Sequence, residues 1–180
     1  MKNLIRIILC VLAITLLSNA CSSVNNTPTA TGVDLKRYMG KWYEIARFET
    51  SFQQGIFDSF AEYKLLDNGI VLIENSGTDQ YGNRTSAKAR GYAPDPKNPS
   101  KLRISFFRPF YSDYFILALD KNYQWALVGS SSKDYLWILS RTPTLPTETT
   151  THVVNIAKNL GYDTSKFIYN TDLAKIMRRL

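Results

Sequence analysis

The chain has 180 residues, 44% of them hydrophobic, which is enough for one domain with its own core. Its net charge is +7, its basic residues are scattered, and its two cysteines are Cys10 and Cys21. Scattered charge argues against a nucleic-acid-binding module, and two thiols argue against a disulfide scaffold or a cysteine-rich zinc site.

At the N-terminus, Lys2 and Arg6 precede an apolar run from Ile7 to Leu17. That run is too short to cross a bilayer and has the layout of a secretory signal peptide over 1–20. Without Lys2 and Arg6 the chain keeps 20 basic and 15 acidic residues, a net +5 that reads as ordinary solubilising charge and is compatible with an anionic lipid surface. Leu17-Ser18-Asn19-Ala20-Cys21 resembles a bacterial lipobox, with Ser18 where that pattern usually holds an aliphatic residue. The resemblance implies lipidation at Cys21. No aspartate follows Cys21, so it also implies sorting to the bacterial outer membrane. Ser18 and Ala20 equally satisfy ordinary signal cleavage, which would give a periplasmic or secreted soluble form. Residues 21–33 are small and polar and read as a flexible tether, leaving 34–180 for the folded domain.

From residue 41, short β-rich runs alternate with turn signals. The runs are 41–49, 58–66, 70–77, 84–93, 101–107, 112–119, 123–131 and 135–141. The punctuation includes Asp67-Asn68-Gly69, Arg108-Pro109 and Asp120-Lys121-Asn122, chemistry that suits hairpins. Eight runs at hairpin spacing, without a second layer of strands, predict an all-β, eight-stranded up-and-down antiparallel β-barrel.

Alternation then assigns faces. In the first run Trp42, Glu44, Ala46 and Phe48 point inward, and Tyr43, Ile45 and Arg47 outward. A carboxylate inside an apolar barrel is costly unless it is paired or protonated. Glu44 is therefore expected to bond a buried tyrosine or water near the floor, or to hold a polar group of a ligand. The connection 49–57, "ETSFQQGIF", puts Phe52, Ile56 and Phe57 at one rim, as a lid or as edge packing. The next two runs turn Ala61, Tyr63, Leu65, Val71 and Ile73 inward. In the fourth, Lys88, Arg90 and Tyr92 must face out, so the inward face is Ala87, Ala89, Gly91 and Ala93, almost without side chains. Leu102, Ile104, Phe106, Tyr114, Ile116, Val128, Tyr135 and Trp137 complete the inner wall. Small residues on one side and aromatic or aliphatic walls on the other predict a hollow lumen for an elongated apolar ligand. Such a ligand gains about 0.8 kcal/mol per buried methylene.

Pro146 to Gly161 carries Val153, Ile156, Ala157 and Leu160 at helical spacing, with a proline at its start and a glycine at its end. Residues 114–119 and 135–139 are apolar on both faces, so both faces must be buried. The helix is expected to cover the outside of that wall. The remaining outer surface is left for a partner or a second copy, as in a homodimer. Phe167 to Tyr169 reads as a short strand and 172–180 as a last basic segment. His152, the only histidine, falls in the helix and reads as a surface residue. No nucleophile–base pair stands out, so the chain is not expected to be an enzyme, and no metal or cofactor is expected.

Three stretches together resemble the lipocalin family. They are Asp34-Leu35-Lys36-Arg37-Tyr38 with Gly40-Lys41-Trp42-Tyr43-Glu44-Ile45-Ala46-Arg47, then Ser112-Asp113-Tyr114, then Leu136-Trp137-Ile138-Leu139-Ser140-Arg141-Thr142-Pro143. The likeness is to the bacterial lipoprotein branch, which is similar to apolipoprotein D and plant stress lipocalins. It implies that Gly40, Trp42 and Arg141 build the closed end, with the guanidinium over the indole. It further implies binding of a fatty acid or lysophospholipid, for storage or transport in envelope maintenance or stress. A pigment or another hydrophobic compound is the alternative cargo, and lipocalin-type catalysis a more distant one.

Overall fold

A computed structural model describes residues 27–170. The signal region, Cys21 and the final basic segment lie outside the described residues. Within them, the predicted strands and helix all form. A short helix α1 (Leu35–Tyr38) precedes β1 (Gly40–Phe48), β2 (Phe57–Leu65), β3 (Val71–Thr78) and β4 (Arg84–Tyr92). Then follow β5 (Lys101–Phe107), β6 (Phe110–Leu119), β7 (Trp125–Gly129) and β8 (Leu136–Ser140). Helix α2 (Thr147–Asn159), a 3-10 turn (Thr164–Lys166) and β9 (Phe167–Tyr169) complete the fold.

Consecutive strands pair antiparallel, and β1 pairs with both β8 and β2, which closes the barrel. Asx turns set the hairpins. Asp79 Oδ1 accepts from the backbone N–H of Tyr81 and Asn83, and Asp120 Oδ2 from those of Asn122 and Gln124. The upper half of β1 separates from β2, and β9 pairs with it there, Ala46 against Tyr169 and Phe48 against Phe167.

Two apolar clusters follow from the sheet's two faces. One fills the lower barrel around Trp42, Tyr63, Ile73, Ile116 and Val128. The other lies outside, where Val153 and Ala157 of α2 pack on Phe115, Leu117, Leu127, Leu136 and Ile138. β6 and β8 thus feed both clusters, as strands apolar on both faces must. Pro146 is the N-cap of α2, and Gly161 follows its end at φ +80°. His152 is exposed, edge-on to Trp125.

Strict alternation fails in β1. The register with β8 slips between Glu44 and Ala46, so Ile45 is an extra residue, a β-bulge. Beyond it the faces exchange. Ala46 and Phe48, expected inside, belong to the outer cluster under α2. Arg47, expected outside, is fully buried at 0% exposure, opposite Trp137. A second slip occurs in β5 between Ile104 and Phe107. Phe106, expected in the inner wall, is 49% exposed at that end of the strand.

Candidate functional site: the barrel interior

The floor is built from groups that leave one another no room. Asp34 caps α1 by accepting from the N–H groups of Lys36 and Arg37, and this turn lays Tyr38 across the barrel's end. Trp42 Nε1 donates to the Tyr38 carbonyl at 2.8 Å. The Arg141 guanidinium lies 3.8 Å from the centroid of the Trp42 ring. It also donates to the carbonyls of Arg37, Tyr38, Lys41 and Tyr123. Gly40 holds φ +90° beside it, a conformation that favours glycine. One cation thereby satisfies carbonyls from three segments while stacking on the indole.

Above the floor runs a chain of phenols. Tyr38 and Tyr114 hydroxyls are 2.7 Å apart, and Tyr114 donates to Tyr63 at 3.0 Å. Burial pushes the Tyr63 hydroxyl up to about 12 and raises those of Tyr38 and Tyr114 well above the ordinary phenol value. Tyr38 stands in the Asp34–Tyr38 motif but outside the strand whose alternation assigns the inner wall. Its signal was there: an Asp cap followed by Leu35 and Tyr38 three apart.

A polar belt crosses the interior near the mouth. Arg47 Nη1 donates to Glu44 Oε1 at 2.7 Å. Gln53, from the loop between β1 and β2, donates to Glu44 Oε2 at 3.0 Å and accepts from Trp137 Nε1 at 2.9 Å. Arg47 Nη2 donates to the carbonyls of Gln53 and Ile56, so the loop is latched to the barrel wall. The partner of Glu44 is therefore Arg47, which the bulge turned inward, and not a tyrosine. Arg47 Nε, Thr50 Oγ1 and Ser59 Oγ are buried without a hydrogen-bond partner among the described residues. At the rim, Phe52 stacks on Tyr135 and Tyr135 on Trp137, so Tyr135 lines the mouth and not the depths.

Ala61, Tyr63, Ile73, Ala89, Leu102, Ile104, Tyr114, Ile116, Val128 and Trp137 all belong to the interior cluster or pack on it. Gly91 sits between Val71 and Ile104, where a Cβ would come within 2.8 Å of the Ile104 methyl. The hollow lumen expected from this strand is only partly present. The lower interior encloses about 10 Å³, lined by α1 and by strands β2, β3, β5 and β6, on the scale of one water. Higher up, Thr85 and Ala87 share the inward face of β4 with Ala89 and are exposed. Water therefore reaches the inner wall there. An open cleft of about 400 Å³ also separates the latched loop from the β3–β4 turn. Among the described residues no cluster of three or more metal-ligating side chains occurs.

The profile of the lipocalin-like domain family matches residues 33–172. The outer membrane lipoprotein Blc of Escherichia coli K12 is 41% identical over 154 residues, 83% of this chain and 87% of that protein. Temperature-induced lipocalin-1 of Arabidopsis thaliana is 40% identical over 145 residues, 75% of this chain and 77% of that protein. Among solved structures, insecticyanin of the tobacco hornworm Manduca sexta superposes with a TM-score of 0.66 at 25% identity. That superposition covers 81% of this chain and 84% of insecticyanin.

Proposed function

The chain belongs to the lipocalin family, and on that premise we propose that it is an anchored carrier of one elongated hydrophobic molecule, a fatty acid or a lysophospholipid. The observation that carries this reading is the small, water-accessible inner face of β4, Thr85 and Ala87, above an aliphatic and aromatic interior. An acyl chain laid there exchanges water for carbon, at about 25 cal/mol per Å² of apolar surface. Arg47, whose Nε has no hydrogen-bond partner among the described residues, supplies a donor for the carboxylate or phosphate at the chain's head. The signal-like leader and Cys21, together with likeness to proteins named outer membrane lipoproteins, support a lipid-anchored location at the outer membrane and a role in the envelope.

The test is titration of the purified protein with oleate and with lysophosphatidylcholine. Trp137 sits in the belt, so a bound ligand should change its fluorescence. At a hundredfold excess over Kd, unfolding should be harder by about 2.7 kcal/mol. Unchanged fluorescence and unchanged Tm with both ligands would reject the carrier reading.

A further inference from the structure

We propose that the barrel has a side entrance between the upper half of β4 and the β5–β6 hairpin, and that this hairpin docks on an anionic lipid bilayer to load it. The loading step rests on the carrier reading above; the docking surface does not. The entrance is visible in the strand pairing. β4 pairs with β3 along its length, from Val71 opposite Gly91 to Thr78 opposite Arg84. Its ladder with β5 holds only Arg90, Gly91 and Tyr92. Above Arg90 the two strands part, because β5 bulges before Phe107 and turns into the hairpin. The residues of β4 that lack a β5 partner run from Arg84 to Ala89, and all but buried Ala89 are exposed, including inward Thr85 and Ala87. The wall is therefore open sideways where the inner face is smallest.

The far bank of this opening is apolar and unburied. Phe107 and Phe110 are cross-strand partners at the hairpin tip, 75% and 72% exposed, with half-exposed Phe106 beside them. Water is a poor solvent for three neighbouring phenylalanines, and their concentration at one tip marks an interaction surface. Charge selects the partner. At this end β4 carries Arg84, Lys88 and Arg90, of which Lys88 lies 3.8 Å from Glu74, and from Phe106 to Ser112 the hairpin carries no acidic residue. Arg108 lies at the tip itself, between Phe107 and Phe110. Aromatic rings flanked by cations suit the headgroup region of an anionic bilayer, where the rings enter the acyl boundary and the guanidinium meets phosphate. A chain leaving that bilayer would pass Phe106 and reach Ala87 and Ala89 along the shortest way into the interior.

The experiment uses the full-length protein with phosphatidylcholine vesicles, with and without phosphatidylglycerol, containing brominated acyl chains. Phe107→Trp should be quenched, more strongly with phosphatidylglycerol, while Lys121→Trp in the β6–β7 turn at the opposite end should not. Oleate transfer from vesicles to the protein should slow by about tenfold or more in Phe107→Ser/Phe110→Ser and in Arg108→Glu. The same variants should bind oleate in vesicle-free solution with wild-type affinity, since these side chains lie outside the interior. Equal transfer rates in wild type and variants, or quenching at Lys121→Trp in place of Phe107→Trp, would overturn the proposal. Failure of the wild type to bind oleate in solution would instead reject the carrier reading and the loading step with it. The quenching pattern alone would then decide the docking surface.

Discussion

Arg47 is the residue on which the interior turns. Its guanidinium is wholly buried, 2.7 Å from Glu44, and holds two carbonyls of the loop above. A buried ion pair is costly to break from one side, because the remaining charge is left in apolar surroundings. Arg47→Met should therefore destabilise the protein by about 3–5 kcal/mol in urea unfolding. Adding Glu44→Gln removes the stranded carboxylate and should recover part of that loss. A double variant whose loss equals the sum of the single losses, within about 0.5 kcal/mol, would show the two groups to be uncoupled. Legibility at this scale was uneven. Trp42 and Glu44 could be placed by counting in twos. Arg47 could not, because one extra residue at Ile45 reverses every face beyond it.

At the scale of elements, the loop between β1 and β2 acts as a latched cover, held by Arg47 and Gln53 and seated on β3. Gly77 makes the seat. A Cβ there would run into Ile56 Cγ2 and come within 3.0 Å of the Phe57 carbonyl oxygen. Gly77→Val should lift the cover more than it disturbs the barrel. We expect faster proteolytic cleavage within 49–57 and faster oleate exchange, with a stability loss of about 1–3 kcal/mol from overpacking. Wild-type cleavage and exchange rates in Gly77→Val would mean that the loop is not seated through this contact. The sequence showed a long apolar-tipped connection here. It gave no sign that Gln53 would be the group turned inward, since a loop has no periodicity from which to read a face.

The whole molecule links its floor to pH. Three buried phenols share one hydrogen-bonded chain, and burial raises all three. In the unfolded chain a phenol ionises near 10, whereas folded Tyr63 holds its proton to about 12. As pH rises between those values the unfolded state releases protons first, so stability falls. The contribution is complete below about pH 10 and is lost as pH climbs through the folded values. Tm should thus be flat through neutral pH and drop steeply above about pH 10, together with tyrosinate absorbance. Tyr63→Phe/Tyr114→Phe should flatten that drop. An equally steep drop in the variant would assign it to other groups.

The sequence by itself determined the eight strands, their turns, the helix and its buried stripe, and the closed end of Gly40, Trp42 and Arg141. Each of these is written within a window of a few residues, as a period, a cap or a turn, or in short motifs that resemble a known family. Only the tertiary structure decided which faces of β1 and β5 look inward, because a bulge is defined against the partner strand and leaves no mark in its own. It also decided how much of the lumen is filled. That depends on α1 and on aromatic side chains from β1, β2 and β6 meeting at one end, a sum of volumes that no single strand contains. The parting of β4 from β5 belongs to the same class: both strands read as regular, and the gap exists only between them.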